Sequence, residues 1–413
     1  MRIPISTFLL LTINTLIGCG KQETSLGIEQ PSPPNNSQLA TRNSQPGKIR
    51  VATFNTALNR PEALTLAIEL ETGTCEPAHK IAEIIQRVQP DILLLNEVDY
   101  DDEHRAATAF HDKYLAKDHG DAKGINYPHR FLAPVNTGIA TNMDLNKDGK
   151  SDGPEDAFGY GKFPGQYGMI VFSKFPIESD SIRTFQNFLW KDMPNAKLPQ
   201  SEGESYYKPE QMKIFRLSSK SHWDIPINIP VGEGEFEMIH FLTSHPTPPV
   251  FDGPEDRNGA RNHDEIRFVA DYVDPDRSQY IYDDKGEQGG LAPGSRFVIA
   301  GDLNADPVDG SSSDSPMQLL LESPLVNSAI VPSSKGAVEA STTGEANKKH
   351  TGDPASDTGN FGRRVGNLRI DYVLPSSSLN TIDSGVYWPV SNEPEHDLVD
   401  ASDHRLVWID IAH

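Results

Sequence analysis

Short apolar runs, each closing on a polar or acidic residue, recur along this chain. Residues 49–54 alternate and are β-rich, predicting a strand that delivers Asn55 at its end. Residues 77–88 carry Ile81, Ile84, Ile85 and Val88 at helical spacing, with Pro77 suited to the first turn and Gln89-Pro90 as a stop. Residues 91–95 predict a second buried strand leading into Asn96-Glu97. Runs at 167–172 and 237–243 predict further strands, the second ending at Ser244-His245. A helix opens near Arg257 and continues through Ile266, Val269, Ala270 and Val273. The run 297–300 passes straight into Gly301-Asp302-Leu303-Asn304, where Gly301 permits a backbone that other residues resist. Two last strands are expected at 369–374, containing Asp371, and at 405–411, just after Ser402-Asp403-His404. Residues 99–165, 185–235 and 305–365 read as long loops. The pattern alone specifies mixed α and β structure.

The polar residues at these strand ends change the picture. Singly, each Asp or Asn reads as a turn former or strand cap, and each histidine as a satisfied core residue. Together, Asn55, Glu97, His245, Asp302, Asn304, Asp371, Asp403 and His404 put oxygens and imidazoles at the ends of several strands, where an α/β sheet builds a site. Carboxylate and amide oxygens suit magnesium, manganese or calcium better than zinc.

Six segments carry a resemblance: Thr53-Phe54-Asn55, Leu95-Asn96-Glu97, Ser244-His245-Pro246, Gly301-Asp302-Leu303-Asn304, Arg369-Ile370-Asp371-Tyr372 and Ser402-Asp403-His404. In this order, over residues 48–413, they resemble the endonuclease/exonuclease/phosphatase family, whose fold is that of deoxyribonuclease I. The resemblance implies one α+β domain, a four-layer α/β/β/α sandwich. It implies Glu97 as the main metal carboxylate, with Asn55 beside it and Asp403 assisting. It implies an Asp371–His404 pair, His245 near the scissile phosphate, Asp302 orienting the attacking water and Asn304 holding a phosphate oxygen. The expected activity is a magnesium-, manganese- or calcium-dependent phosphoesterase that cleaves phosphodiesters with a water activated at the metal. A secreted or surface-bound nuclease and a non-catalytic, calcium-stabilised surface binding protein are the alternatives.

The ends and the charge set the context. Residues 1–19 have a basic start and a short apolar stretch, and Leu16-Ile17-Gly18-Cys19 resembles a bacterial lipobox, predicting export and lipidation at Cys19. Residues 20–47 are rich in Ser, Pro, Asn and Gln and are expected to form a disordered tether, leaving the folded domain at 48–413. The expected protein is a monomer, bound to a bacterial membrane only through that anchor and facing the periplasm or exterior. Cys75 is then the one cysteine left in the mature chain, expected as a buried structural thiol. A net charge of −22 argues against a broad grip on nucleic acid and leaves small or lipid-borne phosphoesters favoured, nucleic acid less so.

One loop carries its own motif. Asp144, Asn146, Asp148, Gly149, Asp152 and Glu155 match the spacing of a calcium-binding loop, although Pro154 precedes the closing Glu155 and no amphipathic helix precedes Asp144. The expectation is a single structural calcium site; the alternative is a solvated acidic loop. Arg257 and Arg261 stand either at a substrate phosphate or in salt bridges at a helix start.

Overall fold

The computed structural model describes residues 47–232 and 234–412. The expected export signal with Cys19, and the tether as far as residue 46, lie outside the described residues. Structure begins where the apolar alternation begins, with strand β1 (Lys48–Asn55), followed by helix α1 (Thr65–Glu71), helix α2 (Glu76–Val88) and strand β2 (Ile92–Asn96). Next come α3 (Arg105–Phe110), β3 (His129–Phe131), β4 (Met169–Ser173) and β5 (Arg183–Thr184). The chain continues through β6 (His222–Gly232), β7 (Glu235–Ser244), α4 (Arg257–Tyr272) and β8 (Phe297–Asp302). It closes with β9 (Asp371–Pro375), β10 (Asn380–Val386) and β11 (Val407–Ala412).

Two mixed sheets result, ordered β10-β11-β1-β2-β4-β3 and β9-β8-β7-β6-β5. Pairing is parallel between β1 and β2 and between β7 and β8, and antiparallel elsewhere. Strand alternation explains how they stack. Ile49, Val51, Ile92 and Leu94 of the first sheet pack with Ile225, Ile227, Phe241, Val298 and Ala300 of the second. The opposite faces of β1 and β2 carry Ala52, Phe54, Leu93 and Leu95, which meet the apolar sides of α1, α2 and α3. Phe297 and Ile299 on the far face of β8 meet Ile266, Phe268 and Val269 of α4. The central strands are therefore apolar on both faces, as their unbroken runs require. This is the four-layer α/β/β/α arrangement; burying each such side chain contributes about 1.5–3 kcal/mol.

Four strands of these sheets lie where loops or nothing were expected: the short β3 inside 99–165, the two-residue β5, and the longer β6 and β10. β6 falls inside 185–235: Ile225, Ile227 and Ile229 alternate inward, but Pro226 and Pro230 mask the pattern. Those prolines are tolerated because β5 pairs only with Trp223 and Asp224, so beyond that point β6 borders no full strand on that side. β10 was not anticipated because it is an edge strand paired with β11 alone, with few apolar positions and Ile382 exposed.

Candidate active site

The inner strands β1, β2, β7 and β8 all end on site residues, and Gly301 sets how closely those ends approach. A Cβ at Gly301 would lie 2.1 Å from the carbonyl oxygen of Ser244, so only glycine lets β8 run this tightly beside the end of β7. That approach puts Asp302 beside His245.

Asp302 is 1% exposed and is the point of convergence. Its Oδ2 accepts a hydrogen bond from Asn55 Nδ2 at 3.0 Å, lies 3.3 Å from His245 Nε2 and 3.6 Å from His404 Nε2. Its Oδ1 accepts the backbone N–H of Asn304 at 2.9 Å. Behind His404, Nδ1 lies 2.9 Å from Asp371 Oδ2. Thr358 Oγ1 donates to that same carboxylate oxygen at 2.8 Å. The hydroxyl of Ser402 donates to the carbonyl of Asn55 at 2.8 Å and accepts the N–H of His404 at 3.1 Å, tying the last loop to the end of β1.

These neighbours fix the charges. Burial opposes ionising Asp302, but His404, His245 and the Asn55 amide overcome it and hold the carboxyl well below its usual range. Burial likewise opposes charge on His404, yet Asp371 and Asp302 push its pKa up to about 10. His245 goes the other way: burial and the nearby Lys220 ammonium lower it, so this ring stays neutral. The centre thus holds one charged and one neutral imidazole flanking a carboxylate.

Asp302, Asp371 and His404 each offer a ligand atom within 4.8 Å of the others, a cluster able to hold a metal ion. Their hydrogen bonds already engage one another, and an imidazolium has no lone pair to give. The residues expected as metal ligands stand slightly apart. Glu97 is half-buried, with Oε2 accepting from Asn59 Nδ2 at 2.9 Å and no partner on Oε1 among the described residues. Asp403 has 55% of its side chain exposed and approaches His404 Nε2 only at 4.0 Å. Hard oxygens left without partners among the described residues fit a divalent cation, and the buried Nδ2 of Asn96 and Nδ1 of His245 have no partner among those residues either. Glu97 and Asn304 both adopt left-handed backbones, with φ of 60° and 52°. Such a conformation costs a non-glycine residue about 1–2 kcal/mol and gathers at functional positions.

Three parts of the site escaped sequence reasoning. Lys220 is 6% exposed, and among the described residues its ammonium has no hydrogen bond or ion pair. Burial lowers its pKa, while Glu265, Glu97 and Asp302 are the opposite charges it meets. Helix α4 is the second. Glu265 accepts the N–H groups of Ser219 at 2.6 Å and Thr247 at 2.7 Å, while Asn262 donates to the carbonyls of Thr247 at 2.8 Å and Leu303 at 3.0 Å. It therefore clamps the segments bearing Lys220, His245 and Asn304. The third is Thr358, a lone threonine in a polar loop with no signal of its own.

The two arginines part company: Arg257 takes the expected salt bridge at the helix start, and Arg261 takes neither expected role. Arg261 is buried, and its guanidinium donates to the carbonyls of Phe158, Leu217 and Ser218 at 2.6, 2.8 and 3.0 Å, so it braces backbone rather than meeting a phosphate. Arg257 pairs with Glu255. Cys75 is half-buried, beside Arg60 at 3.7 Å.

The 144–155 loop lies in a separate part of the chain. Gly149 adopts φ of 87°, and Asp144, Asn146 and Asp148 accept N–H groups of Gly149, Asp148 and Lys150 at 3.0, 3.0 and 2.8 Å. Asp144 Oδ1 is buried without a partner among the described residues. Asp156, next to the expected Glu155, closes the turn by accepting the N–H of Leu145 at 2.7 Å.

None of the curated proteins matches this sequence. Among solved structures, the chain is similar to an endonuclease/exonuclease/phosphatase from Beutenbergia cavernae DSM 12333, at 16% identity and TM-score 0.46, covering 89% of this chain and 72% of that one. It is similar to a family protein from Leptotrichia buccalis C-1013-b at 16% identity and TM-score 0.44, with 88% and 100% covered. A sphingomyelinase C from Streptomyces griseocarneus gives 16% identity and TM-score 0.44, with 89% and 99% covered. A profile of the Endonuclease/Exonuclease/phosphatase family, whose members are hydrolases of phosphate esters, matches residues 52–404, a span running from β1 to His404; the chain belongs to that family.

Proposed function

We propose that this chain is a metal-dependent phosphoesterase acting on phosphodiesters. The observation that carries the reading is the convergence of Asn55, His245 and His404 on the buried carboxylate of Asp302, with Asp371 behind His404. Glu97 and Asn55, with Asp403 at the rim, are the residues that would hold magnesium, manganese or calcium. When bound, the cation neutralises phosphate charge and polarises the ester. The remaining work belongs to the protein. Asp302, kept ionised by its neighbours, orients the attacking water. His404, kept charged by Asp371, donates to a phosphate oxygen. Neutral His245 borders the same space, and the Asn304 amide, with one N–H on the carbonyl of Pro246 at 3.0 Å, retains a second for phosphate. Lys220 gains from the substrate the anionic partner that it lacks in the protein.

The −22 charge supports small or lipid-borne phosphoesters over nucleic acid. The lipobox-like segment ending at Cys19 supports an exported, lipid-anchored monomer, and no helix among the described residues is long and apolar enough to cross a membrane. The spacing of Asp144, Asn146, Asp148, Asp152 and Glu155 supports a structural calcium site separate from the catalytic cation.

The test is hydrolysis of a nitrophenyl phosphodiester, sphingomyelin, RNA and plasmid DNA, each with magnesium, manganese and calcium. Turnover that vanishes in Glu97→Ala and His404→Ala supports the reading; a folded protein inactive on all of them contradicts it. Raising salt separates the substrates: a polyanion loses affinity steeply and a small ester changes little.

A further inference from the structure

Four aspartates from two stretches of the loop between β8 and β9, none of them among the expected catalytic carboxylates, lie near enough to feel one another's charge. Three are engaged by backbone. Asp306 Oδ1 accepts the N–H groups of Val308 and Asp309, both at 2.7 Å, and its Oδ2 accepts that of Arg369 at 2.7 Å. Asp309 accepts Thr351 N–H at 2.8 Å and Gly352 N–H at 2.9 Å, and Asp353 accepts Ala355 N–H at 3.0 Å. Asp357 is different. It is 8% exposed, and among the described residues nothing donates to its carboxylate. No lysine or arginine pairs with any of the four among the described residues. Asp357 lines a polar cavity of about 70 Å³ together with Asp309, Ser341, Asn347 and His350. A buried carboxylate without a donor, facing further carboxylates, is unfavourable unless a cation or a proton accompanies it. Burial first, then Asp306, Asp309 and Asp353, push its pKa up to about 7, the direction expected of a site that lacks its counter-ion.

We propose that this cavity takes a hard divalent cation, calcium, with Asp357 as its direct carboxylate ligand and oxygens of Asp309 on the facing wall. The wall offers carboxylate, amide and hydroxyl oxygens, the donor chemistry calcium accepts, and calcium tolerates irregular geometry. The four aspartates are not among those whose ligand atoms gather three at a time within 4.8 Å, so part of the coordination falls to water. The cavity has room for an ion with a few waters.

The position gives this cation a consequence. Thr358, the next residue, donates to Asp371 through Oγ1, and that oxygen accepts the N–H groups of Ile370 and Asp371, both at 3.0 Å. Its carbonyl accepts the N–H of Arg405 at 2.7 Å, and the N–H of Asn360 reaches the carbonyl of Asp403 at 2.8 Å. The strap 357–360 is thus joined to both partners of the Asp371–His404 pair. Calcium at Asp357 steadies that strap. The binding stands independently of the phosphoesterase reading; only an effect on turnover would rest on it.

The test uses the full chain carrying Asp148→Ala, which silences the 144–155 loop, and titrates calcium by calorimetry and thermal unfolding. Asp357→Asn in that background should lose one equivalent of bound calcium and the corresponding rise in Tm. In chelator it should melt at or above its parent, because an unpaired buried carboxylate has been removed. Equal calcium binding by parent and variant overturns the proposal, as does a parent that takes no calcium beyond the catalytic cation. A variant that melts lower by the same amount with and without calcium also overturns it. Should Asp357→Asn fail to fold, Asp309→Asn decides: weaker calcium binding supports the site and unchanged binding sinks it. Neither readout uses catalysis, so failure here is distinguishable from failure of the catalytic reading.

Discussion

Asp302 and Asp357 are aspartates of similar burial, 1% and 8% exposed, with opposite environments. Asp302 is surrounded by donors and held ionised, with an amide, two imidazoles and a backbone N–H around its two oxygens. Asp357 has other carboxylates for neighbours and, among the described residues, no donor, and is driven toward the neutral form. Burial alone therefore says little about a carboxylate; the sign of its neighbours decides whether it is finished machinery or half of a binding site.

The contrast breaks most strongly at His404. His404→Ala removes the charged neighbour of Asp302, and turnover should fall by roughly 10²–10⁴-fold, measured as kcat/KM on the best phosphodiester. Asp357→Asn should change the same quantity far less. Lys220 comes next. Lys220→Met should weaken productive binding by about 10–100-fold, the worth of a charged hydrogen bond, appearing mainly in KM, with Lys220→Arg recovering part of it. A Lys220 with a purely structural role would instead lower stability while leaving KM unchanged.

Much of this centre was legible and some was not. The strand ends could be read because β1, β2, β7 and β8 are short, mostly apolar runs that close on polar residues, and Gly301-Asp302-Leu303-Asn304 continues directly from β8. Lys220, Arg261 and Glu265 could not be read. Their roles depend on contacts between α4 and segments roughly 15–100 residues away, and in sequence they are ordinary charges that any solvated helix or loop would carry. Asp357 was hidden for the same reason: only folding sets it against Asp306 and Asp309.

Acid and base separate the two aspartates. The folded pKa of Asp302 lies below its unfolded value near 3.9, so its stabilisation is present above about pH 4 and is lost as pH falls further. That of Asp357 lies above its unfolded value, so the folded state binds an extra proton between about pH 4 and 7. Its contribution is full below pH 4 and lost as pH rises through 7. In chelator, denaturant unfolding at pH 5 and pH 8 should show wild type losing more stability than Asp357→Asn over that rise. Equal losses would contradict the environment assigned to Asp357. The smallest effect is expected at the other acidic loop. Calcium should raise the Tm of wild type by a few degrees and that of Asp148→Ala by less; identical shifts would leave 144–155 as a solvated loop.

The central claim is that Asp302 and its donors form the working part of a cation-dependent phosphoesterase. The most direct measurement is hydrolysis of a nitrophenyl phosphodiester by wild type and Asp302→Asn, each with magnesium, manganese or calcium and then with chelator. The account predicts turnover in wild type with at least one cation, none in chelator, and a loss of at least about 10²-fold in the folded Asp302→Asn under every condition. Equal rates for the two proteins, or wild-type turnover unaffected by chelator, would contradict it.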